Sequence, residues 1–174
     1  MDFSQTYFQL FDLPATYALD RERLDNAYRE LQNKVHPDKF AAKSEAEQRV
    51  AMQWATRANE AYQTLRSPMR RATYLCELHG VDLETESNTA MAPAFLMQQM
   101  EWREGLDDAR AAKDVNGLAA LDRQLADTRR EQLDQIGEAL GAQNYHRAAL
   151  GVRQLMFLEK FGDEVAAAFD RMTD

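Results

Sequence analysis

Cysteine, glycine and proline are all scarce in this chain of 174 residues, which holds one Cys, seven Gly and four Pro. A single cysteine cannot form an internal disulfide, so a small secreted fold that is stabilised by disulfides is excluded. The low cysteine content favours a reducing compartment. The low glycine and proline content, together with abundant Ala, Leu, Glu, Gln and Arg, favours helix over strand. We therefore expect an all-α protein.

Long apolar runs are absent as well. No apolar stretch approaches the roughly 18 residues that a membrane-spanning helix requires. The N-terminal segment has neither the basic start nor the apolar centre of a secretory signal. We therefore predict a cytoplasmic protein with no membrane partner.

Acidic side chains outnumber basic ones, but unevenly along the chain. The 21 basic and 29 acidic side chains give a formal net charge of −8, which argues against a nucleic-acid partner. Residues 1–75 hold 11 basic and 10 acidic side chains, for a net charge of +1, whereas residues 76–174 hold 10 and 19, for −9. The two parts are therefore expected to meet different partners.

Apolar residues recur at helical spacing, and proline and glycine mark the breaks between helices. The pattern predicts helices at about 4–11, 21–35, 44–65, 68–79, 93–113, 115–140 and 144–171. In the third of these, the side chains expected to face inward are Val50, Trp54, Ala58, Ala61, Tyr62 and Leu65.

The weakly periodic, acidic stretch before Pro93 divides this pattern in two. We predict a first domain at residues 1–75, a connecting segment at 76–92, and a C-terminal three-helix bundle at 93–174. Cys76 is expected to be a free buried thiol, because no second Cys or nearby His completes a metal site.

The tripeptide His36-Pro37-Asp38 separates two predicted antiparallel helices. Proline restricts the turn, so the histidine and the aspartate can present polar groups from a loop that rigid elements hold. Catalysis by this pair would need a nucleophile, a phosphate-binding loop or a metal cluster, and the sequence places none beside it. We therefore expect a binding loop and no enzyme activity.

Further residues at matching distances make this region resemble the J-domain of DnaJ-type co-chaperones. The HPDK sequence follows Tyr28-Arg29-x-Leu31, and SPxxRAxYL follows it at residues 67–75. The resemblance implies that residues 1–75 form a helical hairpin that docks on a DnaK-type chaperone and stimulates its ATP hydrolysis. The residues that it assigns to chaperone binding are His36, Pro37, Asp38, Lys39 and Arg29.

The second predicted helix departs from the basic face that general J-domains carry. Arg29 and Lys39 match that face, whereas Asp25 and Glu30 are acidic. We interpret this mixture of charges as favouring a dedicated chaperone over a general DnaK.

The second half of the chain narrows the resemblance to one family of J-type co-chaperones. AFLMQQMEWREGLDDA at residues 94–109 and RQLMFLEKF at 153–161 resemble the HscB family of bacterial iron–sulfur cluster assembly. The resemblance implies two partners, an HscA-type ATPase chaperone and an IscU-type scaffold, in a bacterial cytoplasm, and no cofactor or metal in the protein itself. The alternative is a general DnaJ-like co-chaperone that presents unfolded clients to a DnaK-type chaperone.

The first helix of the predicted bundle has two apolar faces. One face suits the bundle core and holds Phe95, Trp102, Leu106 and Ala109. The other apolar face lies nearly opposite. Phe157 of the last helix points about 140° away from the core stripe of that helix, so we group it with this second face. The apolar patch consists of Leu96, Met97, Met100 and Phe157. Its acidic border consists of Glu101, Glu104 and Asp108.

A surplus apolar surface with an acidic border is typical of a protein-binding site. Methionine suits such a site because its flexible side chain adapts to a partner. The resemblance to the HscB family assigns these same seven residues to scaffold binding. The alternative is that the apolar patch packs against residues 1–75 or against a neighbouring helix.

Overall fold

A computed structural model describes residues 2–83 and 91–173 of the chain. The helices are α1 (Tyr7–Leu10), α2 (Arg21–Val35), α3 (Glu45–Arg66), α4 (Pro68–Leu78), α5 (Pro93–Ala112), α6 (Val115–Gly141) and α7 (Tyr145–Thr173), and a 3₁₀ turn covers Pro37–Phe40. No strand occurs in these two ranges, and the all-α prediction is confirmed.

The chain divides into two compact units, Met1–Leu75 and Cys76–Asp174. The division falls within α4, so the first residues of the predicted connecting segment, 76–78, are helical. Residues 84–90 of that segment lie outside the described residues. Of the helices in the described ranges, none is long and apolar enough to cross a membrane.

The first helix is shorter than the predicted span 4–11. Thr6 and Gln9 form a capping box, in which the side chain of each accepts a hydrogen bond from the backbone N–H of the other. This cap fixes the start of α1 at Tyr7. Asp12 has a left-handed backbone with φ of 51°, which prevents the helix from continuing.

Side-chain caps also begin the two helices that flank the tripeptide. The side chain of Asp20 accepts a hydrogen bond from the backbone N–H of Arg23 at 3.1 Å, which starts α2 as predicted. Ser44 and Glu47 form a capping box at the start of α3. Each such cap contributes about 1 kcal/mol to stability. The cap at Ser44 also marks the end of the loop that joins α2 to α3.

An aromatic stack and a shared carboxylate hold α2 against α3. The rings of Tyr28 and Tyr62 lie 4.0 Å apart and nearly parallel. The hydroxyl of Tyr62 and Nε of Arg21 both donate to Oδ1 of Asp25, at 3.0 and 3.1 Å. Loss of hydration opposes the charge on Asp25, but these two hydrogen bonds outweigh it and lower the pKa of this carboxyl. Asp25 therefore serves helix packing, and its charge is not a free element of the α2 surface.

The core stripe of α3 differs from the prediction at one position. Val50 was expected inside, but 48% of it is exposed, and Ala51 is buried in its place. The other predicted inward residues of α3 are buried, except Tyr62, which is partly exposed. Val50 lies about 70° from the centre of the stripe on a helical wheel, so its apolar character alone misled the prediction.

In the second unit, α6 and α7 make the most extensive contact between helices. Gly151 of α7 allows this approach, because an added Cβ would lie 2.8 Å from Cγ1 of Ile136 and 3.0 Å from Nε2 of Gln132. The amide of Gln132 is buried and donates to the carbonyl oxygen of Gly151 at 3.3 Å. The backbone of α7 thus supplies the acceptor that this buried amide needs.

We expect Gly151→Ala to lower the free energy of unfolding by about 1–3 kcal/mol, because the new methyl group would overlap Ile136. Gly162→Ala in the same helix is the matched control, since nothing lies within 4 Å of an added Cβ there. Its better helix propensity is expected to raise the free energy of unfolding by about 0.5–1 kcal/mol. Urea denaturation followed by circular dichroism measures both, and equal effects would contradict the close contact at Gly151.

Candidate functional site

The tripeptide lies at the junction of α2 and the 3₁₀ turn. His36 is the C-cap of α2, with φ of −57° and ψ of 126°, and it is also the N-cap of the turn. Pro37 is the first residue of the turn, where its missing N–H leaves no hydrogen bond unmade. The backbone N–H of Asp38 donates to Nδ1 of His36 at 3.3 Å. Local bonds therefore hold the motif in one conformation.

The polar side chains of the tripeptide face solvent. The side chains of His36 and Asp38 are 56% and 91% exposed, and Nδ1 of His36 lies 3.6 Å from Oδ2 of Asp38. Nδ1 accepts from the backbone only when it carries no proton, and it pairs with the carboxylate only when it does. In the neutral form the proton is on Nε2, which leaves an exposed donor beside an exposed carboxylate. This arrangement offers two hydrogen-bonding groups to a partner.

The two basic residues assigned to chaperone binding differ in their distance from the tripeptide. Lys39 is exposed in the 3₁₀ turn itself, next to Asp38. Arg29 is exposed on α2, seven residues before His36 and therefore about 10 Å away along the helix. One of its terminal nitrogens reaches the side-chain oxygen of Asn26 at 3.5 Å. Both cations are open to a partner, but only Lys39 belongs to the loop.

Gln48 positions this loop, and sequence reasoning missed it. Its Nε2 donates to the carbonyl oxygens of Ala41 and Lys43, at 3.2 and 3.0 Å. These carbonyls lie in the connection between the 3₁₀ turn and α3, so the first turns of α3 tie that connection down. A single glutamine near the start of a helix carries no recognisable motif, and only the three-dimensional structure identifies it.

The apolar patch is exposed in the second unit. Leu96, Met97 and Met100 are 46, 64 and 71% exposed, and Phe157 is 49% exposed. The opposite face of α5 is buried, as predicted for Phe95, Trp102, Leu106 and Ala109. The alternative in which another bundle helix covers the patch is therefore wrong, because the bundle core is complete without it.

Phe157 of α7 lies beside the face of α5 that is turned toward α7. It lines a groove of about 100 Å³ between α5 and α7, together with Gln99, Trp102, Arg103, Lys160, Phe161 and Glu164. Leu96 and Met100 share a side of α5 with the groove residues Gln99 and Arg103, since helical neighbours are three and four residues apart. The structure therefore brings Phe157 to the edge of the patch that faces α7.

The acidic border lies on the other side of α5. Glu101 and Asp108 line a wider groove of about 780 Å³ between α5 and α6. Glu104 is exposed on the outer face of α5, between the two grooves. Glu101 and Asp108 therefore flank the apolar patch on its α6 side, whereas Glu104 lies on the outer face of α5 beside the patch.

Met156 is a further exposed apolar side chain of α7, and sequence reasoning missed it as well. It is 42% exposed and directly precedes Phe157 in α7. The signal was present in the sequence, because residues 155–158 are four consecutive apolar residues, Leu-Met-Phe-Leu. A helix that buries one face can cover only about half of such a run. Leu155 and Leu158 are the buried pair.

Cys76 has the surroundings of a structural thiol. It is fully buried, and its Sγ lies 3.6 Å from the carbonyl oxygen of Tyr145. Burial, and secondarily the charge of Glu77, raises the pKa of this thiol to about 11. In the part of the chain that the structure describes, no three His, Cys, Asp or Glu side chains form a group that could hold a metal ion.

Comparison with known proteins covers both units. A DnaJ-domain model matches residues 6–74, and a model described as the HSCB C-terminal oligomerisation domain matches residues 91–166. The co-chaperone protein HscB homolog of Burkholderia thailandensis is 56% identical over 99% of this chain and 98% of its own. Chaperone HscB from Vibrio cholerae has 38% identity and a TM-score of 0.84, over 97% of this chain and 99% of its own. Human co-chaperone HscB has 25% identity and a TM-score of 0.89, over 96% and 83%.

The buried thiol gives a direct test of packing in the second unit. At pH 8 a thiol with a pKa of about 11 is only about 0.1% thiolate, the form that reacts. We expect a thiol-specific reagent to label Cys76 of the folded protein at least about 100-fold more slowly than that of the urea-unfolded protein. Spectrophotometric labelling at pH 8 measures both rates. Similar rates would show that the thiol is accessible, contrary to the structure.

Proposed function

The chain belongs to the HscB family of J-domain co-chaperones, and we propose that it binds an IscU-type iron–sulfur scaffold and delivers it to an HscA-type chaperone of the DnaK class. In this proposal the first unit stimulates ATP hydrolysis by the chaperone, and the second unit holds the scaffold. The result is maturation and transfer of the iron–sulfur cluster. The protein acts in a bacterial cytoplasm, hydrolyses no ATP itself and needs no cofactor.

The observation that carries this proposal is that each unit has its own exposed recognition surface. The first unit presents His36 and Asp38 from a loop in which the backbone N–H of Asp38 donates to the imidazole of His36. The second presents four large apolar side chains that the bundle core does not need. When two partners bind one chain, each is held near the other at an effective concentration that reaches the millimolar range for short linkages. That gain is what delivery of a scaffold to a chaperone requires.

The chaperone contact in this proposal uses His36, Pro37 and Asp38, with Lys39 and Arg29 beside them. The exposed imidazole and carboxylate provide hydrogen bonds, and proline fixes their separation. Lys39 adds a positive charge within the loop, and Arg29 adds one about 10 Å along α2. A preformed loop loses little conformational entropy on binding, which favours a brief but specific contact.

The scaffold contact combines an apolar centre with charged residues on its α6 side. Burial of Leu96, Met97, Met100 and Phe157 supplies affinity, because central apolar contacts dominate most interfaces. The acidic border, Glu101, Glu104 and Asp108, contributes chiefly to the association rate and to sensitivity to salt. The general DnaJ-like alternative needs no folded scaffold and leaves the match of residues 91–166 to the HscB family without a role.

We expect His36→Gln to remove most of the stimulation of HscA-type ATPase activity, because the substituted amide cannot reproduce the imidazole. Folding and scaffold binding are expected to persist, since exposed substitutions usually change stability by no more than about 0.5 kcal/mol. Steady-state ATP hydrolysis, thermal unfolding and scaffold titration measure the three properties. Lys34→Gln, on the last turn of α2, is the control. Retained stimulation in His36→Gln would contradict the role of the loop.

We expect the double variant Met97→Ala with Phe157→Ala to weaken scaffold binding by about 2–4 kcal/mol, because it truncates the apolar centre. Glu104→Gln, which removes one exposed charge, is expected to cost no more than about 1 kcal/mol. Isothermal titration calorimetry with a folded IscU-type scaffold measures the losses. Met52→Ala is the control, because Met52 lies on α3 of the other unit and is about as exposed as Met97.

Two outcomes would contradict the scaffold assignment. A larger loss for Glu104→Gln than for the double variant would show that the apolar patch is not the centre of the contact. Tighter binding of an unfolded polypeptide than of the folded scaffold would favour the general co-chaperone alternative.

A further inference from the structure

The α7 side of the apolar patch carries positive charge, opposite in sign to its α6 side. Arg103 of α5 and Lys160 of α7 line the same groove as Phe157. Phe157, Lys160 and Phe161 follow one another at helical spacing on α7, so the lysine lies directly beside the exposed aromatic ring. This groove, of about 100 Å³, has room for the end of one partner side chain.

The two cations of this groove differ in how far they are neutralised. The guanidinium of Arg103 donates to both carboxylate oxygens of Glu164, each at 3.4 Å, and it lies 5.7 Å from the centre of the Phe161 ring. Lys160 is exposed and forms no ion pair with any residue in the ranges 2–83 and 91–173. The groove therefore holds two positive charges and one negative charge, and Lys160 supplies the uncompensated one.

The opposite charges of the two edges are far enough apart to act separately. Glu101 and Asp108 face the α6 groove, and Arg103 and Lys160 face the α7 groove. An α-helix with its side chains is about 10–12 Å across. The Debye length is about 8 Å at physiological ionic strength. Each edge therefore interacts mainly with the partner group directly opposite it.

We propose that the scaffold-binding surface is polarised across α5, and that Lys160, with Arg103, receives a carboxylate of the scaffold beside Phe157. The partner surface that fits has an apolar strip with an acidic side chain on one edge and basic side chains on the other. The inference rests on the proposed function, because it takes the IscU-type scaffold as the occupant. It assigns Lys160 a part in specificity, since a strip with the charges reversed would meet like charges at both edges.

The alternative is a uniformly acidic surface that attracts a basic scaffold. The second unit has a net charge of −9, so this alternative follows from the charge of the chain alone. The two accounts predict opposite signs for one substitution. A uniform acidic surface gains attraction when Lys160 becomes acidic, whereas a polarised surface loses a specific contact.

Lys160→Glu and Glu164→Gln test the proposal with a purified, folded IscU-type scaffold in about 50 mM salt. We expect Lys160→Glu to weaken binding about three- to tenfold, and less than twofold in about 0.5 M salt, because the contact is exposed and screened. Glu164→Gln releases Arg103 and is expected to strengthen binding about twofold. Arg130→Glu is the control, because it makes the same change in charge on α6 and lines neither groove.

The outcomes separate this inference from the proposed function. Unchanged or tighter binding in Lys160→Glu, while Met97→Ala with Phe157→Ala still weakens binding as expected, would overturn the polarised surface and leave the scaffold site in place. Equal weakening by Lys160→Glu and Arg130→Glu would also overturn it, since only net charge would then matter. If the double variant binds normally, the scaffold site and the inference both fail.

Discussion

A helix in a three-helix bundle can bury one face, and α5 has two apolar faces; the proposed binding surface of the second unit depends on this mismatch. Phe95, Trp102 and Leu106 fill the core. Met97 and Met100 remain exposed on the other side, where the bundle core does not cover them. The same mismatch recurs in α7, where residues 155–158 are all apolar and only two of them are buried.

The proposed binding loop of the first unit is exposed for a different reason, because it relies on hydrogen bonds and not on surplus apolar surface. The tripeptide lies between a helix that ends at Val35 and a helix whose capping box begins at Ser44. The Tyr28–Tyr62 stack joins the two helices, and Gln48 ties the loop to α3. Loop position is thus determined by packing at some distance from it, so that the exposed residues are free to meet a partner.

Most of the fold and much of the candidate site could be predicted from periodicity and short motifs. α2 ends at Val35 and α5 begins at Pro93 because of local proline and capping chemistry, which neighbouring residues determine. Val50 was misplaced, because the phase of a buried stripe depends on which residue the neighbouring helix approaches. The role of Asp25 and the pairing of Arg103 with Glu164 arise from contacts between elements distant in sequence. Gln48 bonds to carbonyl oxygens only seven and five residues before it, but a single glutamine forms no recognisable motif. No local pattern records such contacts.

In the proposed function, one chain couples two partners through two separate surfaces. The most direct test measures HscA-type ATPase activity with a folded IscU-type scaffold and a mixture of two variants. One variant carries His36→Gln, and the other carries Met97→Ala with Phe157→Ala, so that each retains one surface. We expect the wild-type chain and the scaffold together to stimulate hydrolysis by more than the sum of their separate effects, and we expect no such excess from the mixture. Full stimulation by the mixture would contradict coupling within one chain.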